Sequence, residues 1–235
     1  CGARYIELKT IQTLDELEVS KPCIDMQDEG YNCEWSQELK IGESFDQYLN
    51  AWILVHLLKD KLGYPFEKSL GTIFNMSIGY DFNGIKQENV QRFLDQMKDC
   101  SVLKADKISE IEDIYPNIRK INIPDCISDN VTLSTMHGCP PDEIEKIGLY
   151  LISERKLNTI IKLNPTLLGK DKLNTILRNS GFSITAPDEA FEHDLKYPDA
   201  LKIIRNLQHA ADENQVHFGL KLTNTLESLN SKTIL

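Results

Sequence analysis

The chain has 235 residues, 36 acidic against 26 basic, for a net charge of −10. That length supports one large α/β domain with a substantial core. The acidic balance argues against nucleic acid or an anionic membrane as partner, since both require basic surface.

No apolar stretch is long enough to span a bilayer and no signal peptide is evident, so a cytoplasmic protein is expected. The 6 cysteines are scattered and none forms a CxxC pair. Separate reduced thiols fit better than a disulfide framework, and a cluster site would need a denser run. The chain opens on Cys1-Gly2-Ala3 without methionine and reads as a single barrel segment, 1–235, cut from a longer multidomain protein.

In chain order, the first strand is Tyr5–Thr10, followed by a long polar stretch from Gln12 to Ile41. A helix is predicted from about Ser44 to Leu62, with Phe45, Leu49, Trp52 and Val55 on one face and Gly63 as its stop. The strand Thr72–Ser77 leads to a helix at Glu88–Asp99 that turns Val90, Phe93, Leu94 and Met97 inward. Cys100–Asn130 is irregular and broken by Pro116 and Pro124. A strand at Val131–Thr135 then precedes Pro140-Pro141-Asp142-Glu143. Proline in a first turn with acids behind it starts a helix, here one using Ile144, Ile147 and Leu151.

The strand Ile160–Pro165 feeds a helix at Lys172–Arg178, closed by Gly181. A short strand at Phe182–Thr185, a helix at Asp199–Glu213 and a last strand at Val216–Leu222 complete the chain. Strands alternating with helices imply βαβ units and a parallel sheet. About six strands of the eight that a closed (β/α)8 barrel needs are counted, so the expected fold is α/β, a partial TIM barrel. Two long segments, 12–41 and 100–130, read as lids or contacts to another domain.

Several of these strands end in lysine or a small polar residue. A parallel barrel gathers strand C-termini on one face, where catalytic groups sit. A lysine is costly to bury there without a partner, which suggests a bound anion or an electron-rich cofactor. Lys9 follows Glu7 by two residues, so both are expected on one face, either paired with each other or with Lys9 beside a cofactor ring. Lys162 shares a face with Ile160. It is read as stabilising charge on a reduced flavin, as a Schiff-base amine, or as a side chain reaching solvent. Lys221, Asn224 and Thr225 close the last strand, and Thr10, Asn75, Ser134 and Asn164 complete the candidate binding rim, with Ser77 beside them.

The loop Ser134–Pro141 is the most reactive in appearance. Cys139 precedes a helix N-terminus, which lowers a thiol pKa, and His137 stands near as a base; a packed thiol and a loop imidazole are the plain alternative. No metal set is recognisable, and GxGxxG, Walker A and GxSxG motifs are absent. His56 is expected to pack in its helix.

The runs IELKT (6–10), KPCIDMQDEGYNCEWS (21–36), FNMSIGYDFNGIK (74–86), VTLSTMHGCPPDEIE (131–145), IKLNPTLLG (161–169) and LKLTNTLE (220–227) resemble the selenate reductase iron–sulfur flavoprotein family. That family is related to dihydropyrimidine dehydrogenase and the small subunit of glutamate synthase. More distantly, the barrel is similar to dihydroorotate dehydrogenases, which bind FMN. The resemblance implies flavin contacts from Lys9, Lys162 and Asn224, with Cys139 as the nearest counterpart of a catalytic cysteine or serine. It also implies FAD and 4Fe-4S modules elsewhere in a full-length protein that passes electrons from NAD(P)H to a small-molecule substrate. Other domains or subunits of that oxidoreductase would be the partners.

The chain departs from that pattern at Thr132-Leu133-Ser134, where the superfamily keeps an asparagine, and in lacking the last two strands, whose loops hold the flavin phosphate. Two other readings remain: a Schiff-base lyase using Lys162, and a non-catalytic scaffold that docks redox partners.

Overall fold

The computed structural model describes residues 4–11, 13–14, 24–27, 30–33, 39–63, 71–134, 139–184, 186–192 and 194–222. The elements in chain order are β1 (Tyr5–Ile11), β2 (Ile24–Gln27), β3 (Gly30–Cys33), α1 (Ile41–Lys61), β4 (Ile73–Ile78), α2 (Phe82–Ile85), α3 (Glu88–Lys98), α4 (Ser101–Ile111) and β5 (Asn130–Leu133). They continue with α5 (Pro141–Leu149), β6 (Asn158–Lys162), α6 (Lys170–Asn179), α7 (Glu189–Glu192), α8 (Tyr197–Asn214) and β7 (Phe218–Lys221). A π-helical turn, Tyr150–Glu154, extends α5.

Five strands form one sheet in the order β1-β4-β5-β6-β7, every neighbouring pair parallel. This is the α/β partial barrel that the alternating pattern predicts. The period-2 alternation of each strand divides its side chains between two environments. In β4, Phe74, Met76 and Ile78 are buried on the helix side. There they join Val131, Leu133 and Ile161 from the neighbouring strands in one apolar cluster with Phe45, Leu49, Trp52 and Ile53 of α1 and Val90, Phe93, Leu94 and Met97 of α3. Each fully buried side chain of this size contributes about 1.5–3 kcal/mol relative to exposure. His56 is 2% exposed in the same layer, its Nδ1 2.8 Å from the Trp52 carbonyl oxygen.

The fold differs from the pattern of the sequence in several places, three of them larger than a single turn of helix. The stretch 12–41 contains an antiparallel hairpin, β2 with β3. The segment 100–130 contains α4, which buries no residue fully; Ile108 and Ile111 pack only partly against the core, a weak stripe for marking a helix in sequence. Ion pairs from Lys104 to Asp125 (2.6 Å) and from Lys107 to Asp46 (2.8 Å) tether it. Finally, Phe182–Ile184 forms no strand. Phe182 is 56% and Ile184 41% exposed, and Thr185 lies outside the described residues.

Two features position the site. Between Glu7 and Thr10 the register with β4 slips by one residue, a β-bulge at Leu8–Lys9. The Tyr48 hydroxyl of α1 donates to the Lys9 carbonyl (3.0 Å) at that bulge. In addition, β1 and β7 are the two edges of the sheet, yet Lys221 Nζ lies 2.6 Å from Glu7 Oε1. The sheet therefore curls until side chains from its opposite edges meet.

Candidate functional site

The inner face of the curled sheet is polar, whereas barrel interiors are usually filled by branched apolar side chains. Asn75, Ser77 and Thr132 are all buried there. Asn75 Nδ2 donates to Thr132 Oγ1 (2.6 Å), and Thr132 Oγ1 donates in turn to Glu7 Oε2 (3.2 Å). The other Glu7 oxygen takes the Lys221 ammonium, so both carboxylate oxygens are engaged. Asn75 Oδ1 is buried with no hydrogen-bond partner among the described residues. Tyr5, two residues before Glu7, also hydrogen-bonds Thr132 through its side chain. Burial and the Glu7 charge push its phenol up to about 12.

Above this layer a chain of hydroxyls crosses three strand ends. Thr10 Oγ1 lies 2.7 Å from Ser77 Oγ, which lies 3.1 Å from Ser134 Oγ. The strands approach closely here, because a Cβ at Gly79 would collide with the Ser134 carbonyl oxygen. Lys162 and Lys221 end β6 and β7 as register partners. The Lys162 ammonium is half-buried and makes no hydrogen bond or ion pair among the described residues. Burial pushes its pKa below the ordinary value, the Lys221 charge pushes the same way, and Glu7 opposes both.

The structure thus brings Thr10, Asn75, Ser77, Ser134, Lys162 and Lys221 together at the C-terminal ends of the strands. Lys9 is placed differently. The bulge makes Glu7 and Thr10, not Glu7 and Lys9, share the inner face, and Lys9 is exposed. Asn164 lies just past β6, where its amide Nδ2 donates to the buried Asp194 carboxylate (3.3 Å) beside Thr166 Oγ1 (2.6 Å). His137, Asn224 and Thr225 lie outside the described residues.

Cys139 departs from the thiolate that its helix-start position suggests. Its thiol is pushed up to about 11, first by burial and then by the carboxylates of Glu143, Asp142 and Asp81. Burial first, and the three carboxylates after it, disfavour the thiolate that the helix start would favour.

Glu7 and Thr132 are the inner-face residues that the sequence reading left out of the site. Glu7 carries a signal, a carboxylate inside an apolar strand, but its partner Lys221 lies 214 positions away. Among the described residues no three His, Cys, Asp or Glu side chains gather as a metal set, and no helix is long and apolar enough to cross a membrane. A separate depression of about 500 Å3 lies along α5 and is lined by Phe82, Asp142, Glu145, Lys146, Tyr150 and Glu154 among others. It contains none of the strand-end residues, and Lys146 lies over the Phe82 ring within it, 4.1 Å from the centroid.

A parallel α/β barrel with a polar, cationic mouth is the architecture of many barrel enzymes. The chain belongs to the family described as "Oxidoreductase YgfK, N-terminal TIM-barrel domain", whose model matches residues 1–235. It is 43% identical over 254 residues to "Putative oxidoreductase YgfK" of Escherichia coli strain K12, and equally to the protein of that name from Escherichia coli O157:H7. Each alignment covers 100% of this chain and 24% of the relative. The chain therefore spans about a quarter of the length of the curated relatives it matches. No solved structure gives a significant match.

Proposed function

We propose that this barrel is the electron-accepting or substrate-binding domain of a multidomain NAD(P)H-dependent oxidoreductase, and that its mouth holds FMN. The observation that carries this reading is the Lys162 ammonium, half-buried at a strand end, without an ion-pair partner among the described residues, and beside a Lys221–Glu7 pair. A cation held there in low dielectric suits a group that becomes electron-rich on reduction. The unpartnered Asn75 Oδ1 and the Thr10–Ser77–Ser134 hydroxyls supply further acceptors and donors on the same face. The donor set therefore suits the ring of a flavin.

FMN, when bound, would supply the electron transfer. Lys162 would orient and polarise it, Lys221 would be held in place by Glu7, and the Cys139 thiol, on the loop that follows β5, would hold a proton. FAD and 4Fe-4S centres belong, on this reading, to the remainder of the full-length protein, which passes electrons to a small-molecule acceptor. The part of the relatives that lies outside this chain leaves room for such further domains.

A Schiff-base lyase is the second reading, favoured by the lowered pKa of the Lys162 amine. One experiment separates the two. Anaerobic NADH or NADPH should bleach the flavin absorbance of the full-length protein, and more of it than in Lys162→Met, whose barrel flavin is lost. Borohydride with a carbonyl substrate should leave Lys162 unmodified by peptide mass spectrometry. Labelling of Lys162 with no flavin bleaching would reverse the assignment.

A further inference from the structure

We propose that Glu7 sets the charge of ligand this mouth accepts. By pairing with Lys221 it leaves Lys162 as the one uncompensated cation of the trio, so the mouth takes a monoanionic or negatively polarised group and rejects a doubly charged oxyanion. This inference rests on the reading of the mouth as a ligand site.

The geometry carries it. Lys221 Nζ and Glu7 Oε1 are 2.6 Å apart, and the second Glu7 oxygen accepts from Thr132. The carboxylate is thus fixed between two donors on the inner face, below the strand ends where Lys162 and Lys221 sit side by side in register. Lys162 experiences both members of the pair, Lys221 as a repelling charge and Glu7 as an attracting one. Among the described residues, two ammonium groups and one carboxylate leave a single net positive charge in a half-buried setting. There Coulomb interactions are several-fold stronger than in water.

A tetrahedral dianion seated on Lys162 would be only half neutralised and would lie within reach of the Glu7 charge. A carboxylate, a nitrate-like monoanion or an electron-rich carbonyl edge would be balanced. Sites built for dianions usually offer several cations or a bidentate arginine, and none of the described inner-face residues is an arginine.

The test is lysine footprinting on the full-length protein. The rate at which an N-hydroxysuccinimide ester acetylates Lys162 is followed by peptide mass spectrometry. Formate, nitrate, sulfate and selenate are added in turn at matched ionic strength after the flavin has been removed, and FMN content is measured on the same samples before its removal. In the wild type, formate and nitrate should slow Lys162 labelling while sulfate and selenate leave it unchanged.

In Glu7→Gln the order should reverse, with dianions protecting about tenfold better than monoanions. Lys221, released from its partner, should become acetylated and so report that the pair is broken. Glu7→Asp keeps the charge and should keep the wild-type order, which separates the charge effect from a packing defect. Dianions protecting the wild type as well as monoanions would overturn the proposal, as would rates indifferent to every anion. FMN present in those samples confines the failure to charge selection; FMN absent removes the cofactor reading as well.

Discussion

Cys139 should alkylate slowly in the folded full-length protein, and the pH dependence should show why. With a pKa of about 11, its thiolate fraction at pH 8 is about 10⁻³, against roughly one in four for a thiol near the ordinary 8.5. Only the thiolate reacts, so iodoacetamide should label Cys139 about two orders of magnitude more slowly than the same residue in denatured protein. Quantifying the Cys139 peptide by mass spectrometry between pH 7 and 10 gives the profile. Steric shielding would lower the rate equally at every pH, whereas a raised pKa makes it climb about tenfold per pH unit without levelling. Glu143→Gln should increase the rate, because it removes the carboxylate that acts most strongly on the thiol while keeping an oxygen to accept from the Phe82 backbone N–H, now 2.6 Å from Glu143 Oε1. A profile that plateaus near pH 7, at or above the denatured rate, would refute this reasoning and restore an activated nucleophile at the helix start.

Asn75→Leu should leave local stability within about 1 kcal/mol of wild type, because loss of the Thr132 hydrogen bond is offset by removal of an unpartnered buried oxygen. Amide exchange in β4 checks this, and a loss much above roughly 3 kcal/mol would show the polar interior to be structural. Gly79→Ala should open the β4–β5 junction, at a cost on the order of 1–3 kcal/mol, because its Cβ meets backbone at Ser134; faster exchange in β5 reports it. His56 is buried with its pKa lowered, first by desolvation. The unfolded state protonates first, so the stability of α1 should fall as pH drops below about 6.5. His56→Gln should flatten that dependence in exchange measured at about pH 5 and about pH 7.5.

The helices that pack on the sheet were legible because their apolar residues recur at helical spacing: Val90, Phe93, Leu94 and Met97 of α3 are buried as the pattern requires. The strand ends were legible because Asn75, Ser77 and Lys162 interrupt otherwise apolar runs. Lys9 lies off the face that strict alternation predicts, because one inserted residue at the bulge reverses the facing of every residue after it in the strand. The Glu7–Lys221 pair was not legible, since it depends on how far the sheet curls rather than on any local spacing. Helix α4 escaped for want of a buried stripe, and the charge environment of Cys139 because Asp81 reaches it only through the fold.

The proposed cofactor role requires that Lys162 face the mouth while Lys9 faces away. The direct measurement is the FMN content of full-length protein, separated chromatographically from FAD, in wild type, Lys162→Met and Lys9→Met. Near-stoichiometric FMN in wild type and Lys9→Met, with most of it lost in Lys162→Met, is the predicted result. FMN retained in full by Lys162→Met, or lost only in Lys9→Met, would contradict it.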